Sequence, residues 1–119
     1  NQKKHAEVEQ MKTKKGTYKI RKDDGWSTEE GSVGYCFPFM VHKKKGNTRW
    51  IITHLATGHS VCTNLSSLKK AKETVGQLKP YTIFLMPDVE TWNMARDRMQ
   101  NNKPEEYTKL LRILNRETK

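Results

Sequence analysis

At 119 residues, with 23 Lys and Arg against 13 Asp and Glu and a formal charge of +10, the chain fits one modest core, and no second domain is expected. So large an excess of positive charge repels itself in a compact state and calls for an anionic counter-surface. No apolar run of about 18 residues, no signal-peptide core and no lipidation motif stands in the sequence, so a membrane partner is not expected and nucleic acid is the favoured polyanion.

Residues 1–15 are polar and charged, with only Ala6, Val8 and Met11 apolar, too sparse for a buried helix face. They are expected to form a flexible basic arm ahead of a single domain over 16–119. From Thr17 to Arg21 the residues alternate, Tyr18 and Ile20 against Lys19 and Arg21, which predicts a short half-buried strand. Asp23 to Gly31 reads as an acidic loop by composition. Val33 to Val41 is the strongest strand pattern, with Val33, Tyr35, Phe37, Phe39 and Val41 on one face and Cys36 and Met40 on the other. Pro38 cannot donate to a ladder, which implies an edge or a bulge. An exposed edge there would allow two copies to pair as a homodimer.

The run Lys43-Lys44-Lys45-Gly46-Asn47-Thr48-Arg49 carries a Gly-Asn tip suited to positive φ, so a hairpin is expected that returns along Trp50 to Leu55. A second turn at Ala56 to Gly58 leads to a strand from His59 to Thr63. Ser66 or Ser67 can cap a helix carrying Leu68, Ala71, Val75 and Leu78 on one face, ended by Pro80. Tyr81 to Met86 is a short apolar run, read as a buried fifth strand. Pro87-Asp88-Val89-Glu90 and Pro104-Glu105-Glu106 both start helices by their chemistry. The first carries the stripe Val89, Trp92, Ala95 and Met99, the second Tyr107, Leu110, Leu111 and Leu114. The expected fold class is α+β: a small antiparallel β-meander of three to five strands, followed by two or three C-terminal helices packed on one face.

The basic residues cluster on these elements. Lys19 and Arg21 lie on the first strand, Lys43, Lys44, Lys45 and Arg49 on the hairpin, and Lys69 and Lys70 on the first helix. Lys109, Arg112, Arg116 and Lys119 line one side of the last helix. A single cluster is what any solvated helix face or aggregation-blocking edge displays. Several together favour phosphate contact, since counterion release accumulates with each phosphate neutralised. Tyr35, Phe37, Phe39 and Trp50 are expected mostly in the core. Trp26, with no apolar neighbours at strand spacing, is the ring left for stacking on a base.

Catalytic and metal chemistry finds little support. His54, His59, Cys62 and Cys36 match no zinc spacing, and strand alternation separates His59 from Cys62. Ser60 beside His59 lacks a strained nucleophile turn, and Asp23, Asp24, Glu29 and Glu30 read as solvated loop residues. No phosphate-binding glycine loop exists, and no cofactor is expected. Cys36 and Cys62 read as buried free thiols in a reducing compartment, cytoplasmic or nucleoid/nuclear, with a single Cys36–Cys62 disulfide as the alternative. The expected function is a non-enzymatic nucleic-acid-binding accessory protein that contacts phosphates through the basic hairpin and helix faces. DNA and RNA, single and double strands, are not separated by the sequence. The alternative is a regulator or inhibitor that docks on an acidic partner protein, with Trp26 and Trp92 as anchors.

Overall fold

The computed structural model describes residues 11–22, 24–85 and 92–118. The first ten residues of the expected basic arm, Asp23, and the helix start at Pro87 to Glu90 lie outside the described residues. So do the side chains of Trp92 and Arg116. Met11, assigned to the arm, is buried against the core.

Five strands form one antiparallel sheet in chain order: β1 Lys14–Lys22, β2 Gly25–Cys36, β3 Phe39–Lys44, β4 Trp50–His54 and β5 Ser60–Leu65. Three helices follow, α1 Leu68–Leu78, α2 Trp92–Asn102 and α3 Pro104–Thr118, with a 3-10 turn at Thr82–Leu85 between the first two. The chain is therefore an α+β domain, strands first and helices last. Of the acidic loop expected over Asp23 to Gly31, Gly25 to Gly31 is strand instead. Gly25 to Glu30 pair with β1, from Lys22 opposite Gly25 to Thr17 opposite Glu30. Polar residues on both faces mimic a loop in composition, yet a two-stranded ribbon needs only its backbone ladder and cross-strand pairs.

Val33 to Val41 is also not one strand. It breaks at Phe37-Pro38, a cis peptide, and Cys36 pairs with Phe39 across the turn. The missing N–H of Pro38 then falls outside the ladder, as a proline in a turn requires. The break resets the alternation: Val33 and Tyr35 share a face with Met40, while Cys36 lies with Phe39 and Val41.

The β1–β2 ribbon folds back over its own sheet. Tyr18 lies four residues along β1 from Lys14, Lys14 pairs with Val33, and Val33 pairs with His42. In a flat sheet Tyr18 would stand about 13 Å along from the level of His42; their ring centroids are 4.5 Å apart. The ribbon reaches the far end of the sheet, where the Arg21 N–H donates to the Gly58 carbonyl at 2.8 Å. Gly16 opposite Gly31 marks the fold-back. A Cβ on Gly31 would collide with the Lys43 carbonyl, whereas one on Gly16 would meet open space.

The fold-back divides the apolar residues into two cores. Inside the curl lie Tyr18, Val33 and Met40, flanked by Ile20 and Leu55. On the other face Phe39, Val41, Ile52, Cys62 and Leu65 meet α1 through Ala71, Val75 and Leu78, and α3 through Leu110 and Leu114. α1 follows its predicted pattern, with the Ser67 hydroxyl accepting from the Lys70 N–H at 3.1 Å. In α3 the stripe turns slightly from expectation, since Leu111 is exposed and Ile113 packs inward in its place.

The fifth strand expected at Tyr81 to Met86 is a 3-10 turn as far as Leu85, with Met86 outside the described residues. Tyr81 and Phe84, three apart, turn toward the core while Leu85 is exposed. This is the period of a 3-10 turn rather than of a strand. His54 ties the turn to the sheet, donating from Nε2 to the Phe84 carbonyl at 2.7 Å and accepting at Nδ1 from the Thr57 hydroxyl at 3.1 Å.

Gly31→Ala is expected to cost about 1–3 kcal/mol or more, because the new methyl meets backbone that cannot yield. Gly16→Ala is expected to be near neutral. Urea unfolding of the two variants checks the pair, and equal stabilities would remove Gly31 as the point of closest approach.

Candidate nucleic-acid interface

The β3–β4 connection turns tightly beyond Lys44, with the Asn47 N–H donating to the Lys44 carbonyl at 2.9 Å and Gly46 at φ +89°. The hairpin turns where expected, but its central pair is Lys45-Gly46 rather than Gly46-Asn47: Gly46 supplies the positive φ and Asn47 closes the turn. The Lys45 N–H donates to the Glu30 carbonyl at 2.9 Å, which lays this hairpin against the bend of the β1–β2 ribbon. Between them runs an open groove of about 330 Å³, whose charged lining is Lys15, Lys43, Lys44, Lys45 and Glu30. Three of these lysines were expected at a site. Lys15 was not, because it was assigned to the arm; its place in the alternation with Lys19 and Arg21 was the available signal.

Two of the lysines are held by neighbours. Lys43 Nζ stands 5.1 Å from the centroid of the Trp50 ring, a cation–π distance, and Trp50 is itself buried. Lys44 Nζ lies 3.6 Å from one carboxylate oxygen of Glu29, whose other oxygen takes Lys22 Nζ at 3.1 Å. The hydrogen bond from Lys22, with the charges of both lysines, holds the Glu29 carboxyl below its usual range. Glu29 thereby offsets part of the repulsion that crowding these cations creates. Among the described residues Lys15 and Lys45 form no ion pair.

The other expected contacts divide among separate surfaces. Arg49 lies across the hairpin tip, in a hollow of about 340 Å³ with Thr48, Thr63 and Asn64. Lys69 and Lys70 are exposed on the first turn of α1. Leu65 pairs with Trp50, so this turn begins at the same end of the sheet as the hairpin, although neither lysine lines the groove. Arg112 is exposed on α3, which packs on β5, and it belongs to neither hollow.

Lys19 and Trp26 border a third opening of about 380 Å³, between the folded ribbon and the sheet. Trp26 is on β2 opposite Arg21 rather than on a loop. Its ring sits so close to Gly58 that a Cβ there would stand 2.5 Å away, and it remains 54 % exposed. Tyr35, expected in the core, lines the same opening and is 53 % exposed, because the break at Pro38 turned it from the helices. Phe37 is likewise exposed, whereas Phe39 and Trp50 are buried as expected.

His42, His54 and the two cysteines serve the interior. Cys36 and Cys62 are buried and are not joined in a disulfide. Among the described residues no three His, Cys, Asp or Glu side chains gather in a way that could hold a metal ion, and no helix is long and apolar enough to cross a membrane. His42 is buried beneath Tyr18, with Nε2 2.6 Å from the Thr53 hydroxyl and Nδ1 without a partner among the described residues. Burial pushes its pKa down to about 4, against the smaller upward pull of Glu29. Burial lowers His54 too, although its bond to the Phe84 carbonyl opposes the shift. No known family model, no curated protein and no solved structure matches this chain.

Both buried rings are neutral in the fold and titrate near 6.5 in the unfolded chain, so their contribution to stability is complete above that pH. It is lost as the pH falls from 6.5 through the lower folded values, by about 3 kcal/mol for His42 once pH 4 is reached. Urea unfolding between pH 7.5 and 4 is expected to show this decline. His42→Gln is expected to flatten part of it, and His54 supplies the remainder.

Proposed function

We propose that this chain is a nucleic-acid-binding accessory protein that grips phosphates in the groove between the β3–β4 hairpin and the bent β1–β2 ribbon. The observation that carries the reading is the convergence of Lys15, Lys43, Lys44 and Lys45 on one groove in a chain of net charge +10. Like charges are costly to gather, and a phosphate backbone is the ligand that would repay the cost, since it presents repeated anions and releases counterions when neutralised. The hairpin supplies the ribbon shape by which β-strand readers follow a backbone or enter a groove. Arg49 across the tip and Lys69 and Lys70 at the same end of the sheet would extend the contact.

The role is binding rather than catalysis. His42 and His54, the residues best suited to acid–base work, are committed to the two cores, and neither lines the groove.

Binding to single- and double-stranded DNA and RNA, titrated against salt, is the direct test. Log affinity is expected to fall linearly with log salt, each neutralised phosphate adding about 0.9 to the slope on duplex or about 0.7 on single strands. Reversing the hairpin charges with K43E/K44E/K45E is expected to reduce both the affinity and the slope. A flat salt response, or no retention at low salt, would overturn the reading in favour of docking on an acidic protein, for which the exposed Phe37 and Leu85 would be the apolar anchors.

A further inference from the structure

We infer that the opening bordered by Trp26 and Tyr35 is a stacking site for an unpaired nucleobase, so that the nucleic acid held by the lysine groove is single-stranded. The inference rests on the nucleic-acid reading of that groove and adds the form of the ligand.

Most large aromatic side chains described in this protein are accounted for by packing: Phe39, Phe84 and Trp50 against the helices, and Tyr18 inside the curl. Trp26, Tyr35 and Phe37 are not, and of these Trp26 and Tyr35, 54 % and 53 % exposed, line one opening. Behind them the lining is apolar, with Tyr18, Met40 and Leu55, and Thr17 and Thr28 add hydroxyls able to meet a base edge. At about 380 Å³ the opening is within the roughly 300–1,000 Å³ of small-molecule sites. The Trp26 ring is seated on the backbone of Gly58, where a Cβ would stand 2.5 Å from it. A ring fixed in this way loses little freedom on binding.

Charge complementarity selects the occupant. Lys15, Thr17, Lys19 and Arg21 alternate along one side of β1, and Lys15 lines the groove while Lys19 lines the aromatic opening. The two lysines are four residues, or about 13 Å, apart along the strand. One polyanion chain can therefore lay phosphates along the groove and turn a base into the opening. In a duplex the flat faces of the bases are covered by their neighbours, so only a single strand can offer one.

The test compares anisotropy titrations of the whole chain with a short oligothymidylate and with a duplex of equal length at low salt. The proteins are wild type, Trp26→Leu, Trp26→Phe and K43E/K44E/K45E, each checked by thermal melting. Wild type is expected to prefer the single strand. Trp26→Leu is expected to lose about 5- to 150-fold of that affinity, as a stacked base is worth about 1–3 kcal/mol at about 1.4 kcal/mol per tenfold, with duplex binding unchanged. Trp26→Phe is expected to recover most of the loss. If Trp26→Leu melts early, Tyr35→Leu, which replaces the other exposed ring of the opening, carries the same expectation. Single-strand binding indifferent to both leucine variants, or a wild-type preference for duplex, overturns the stacking site; sensitivity to K43E/K44E/K45E would then leave the groove reading standing. Failure of wild type to bind either form at low salt overturns both.

Discussion

The arrangement of this protein depends on one close approach, that of the Gly31 backbone to the Lys43 carbonyl. A side chain at Gly31 would hold the β1–β2 ribbon away from β3, and the ribbon could not turn back across the sheet. With the approach made, Tyr18 covers His42, Arg21 bonds to Gly58, and a sheet with two open faces acquires an inner core. The lysine groove runs along the same bend, lined by Gly16 and Gly31 themselves. One backbone contact therefore sets both the second core and the shape of the basic surface.

The surface that results is electrostatically expensive, and the structure limits that expense locally. Glu29 sits between Lys22 and Lys44, and Trp50 offers its face to Lys43. Both arrangements leave the lysine heads at the surface, where an incoming anion meets cations already positioned. Exposed ion pairs of this kind contribute little to stability, so their effect is mainly to fix where the charges stand. The energy of the fold comes from the apolar faces, at about 1.5–3 kcal/mol for each large side chain fully buried.

How much of this the sequence disclosed followed from how local each signal was. The 3.6-residue stripe and serine cap of α1 are local, and the helix lies where its pattern put it. The turn signal of Gly46 is local too, and so the lysine hairpin was legible, although its centre is Lys45-Gly46, one residue before the expected Gly46-Asn47. β2 was not: Trp26, Thr28 and Glu30 alternate with Ser27 and Glu29 and give no apolar face, because this part of the ribbon owes its strand form to pairing with β1. The face assignment of Tyr35 failed for a different reason. It assumed unbroken alternation through Pro38, and the turn there exchanged the faces of the residues on its two sides. Lys15 was assigned to the arm because its alternation with Lys19 and Arg21 is a weak signal among polar neighbours, and it is the register with Ser32 that shows the strand starting before Thr17. The 3-10 turn after Pro80 was hidden in an apolar run whose purpose, to hand the Phe84 carbonyl to His54, is entirely tertiary.

Apart from the 3-10 turn, these failures share a location. The helices and the strands beneath them, where local pattern and packing agree, form the half of the molecule that contains His54, Phe39 and Phe84. The residues misplaced from sequence, Lys15, Trp26 and Tyr35, all belong to the ribbon and its edge, where polar composition and exposed rings conflict with what a stable core would ask. A sequence optimised only for folding would resolve that conflict by burying the rings and spreading the charges. Here the rings stay exposed at one opening and the lysines stay crowded at another, which is what the proposed binding role would ask of the ribbon while the helices and the strands beneath them hold the fold.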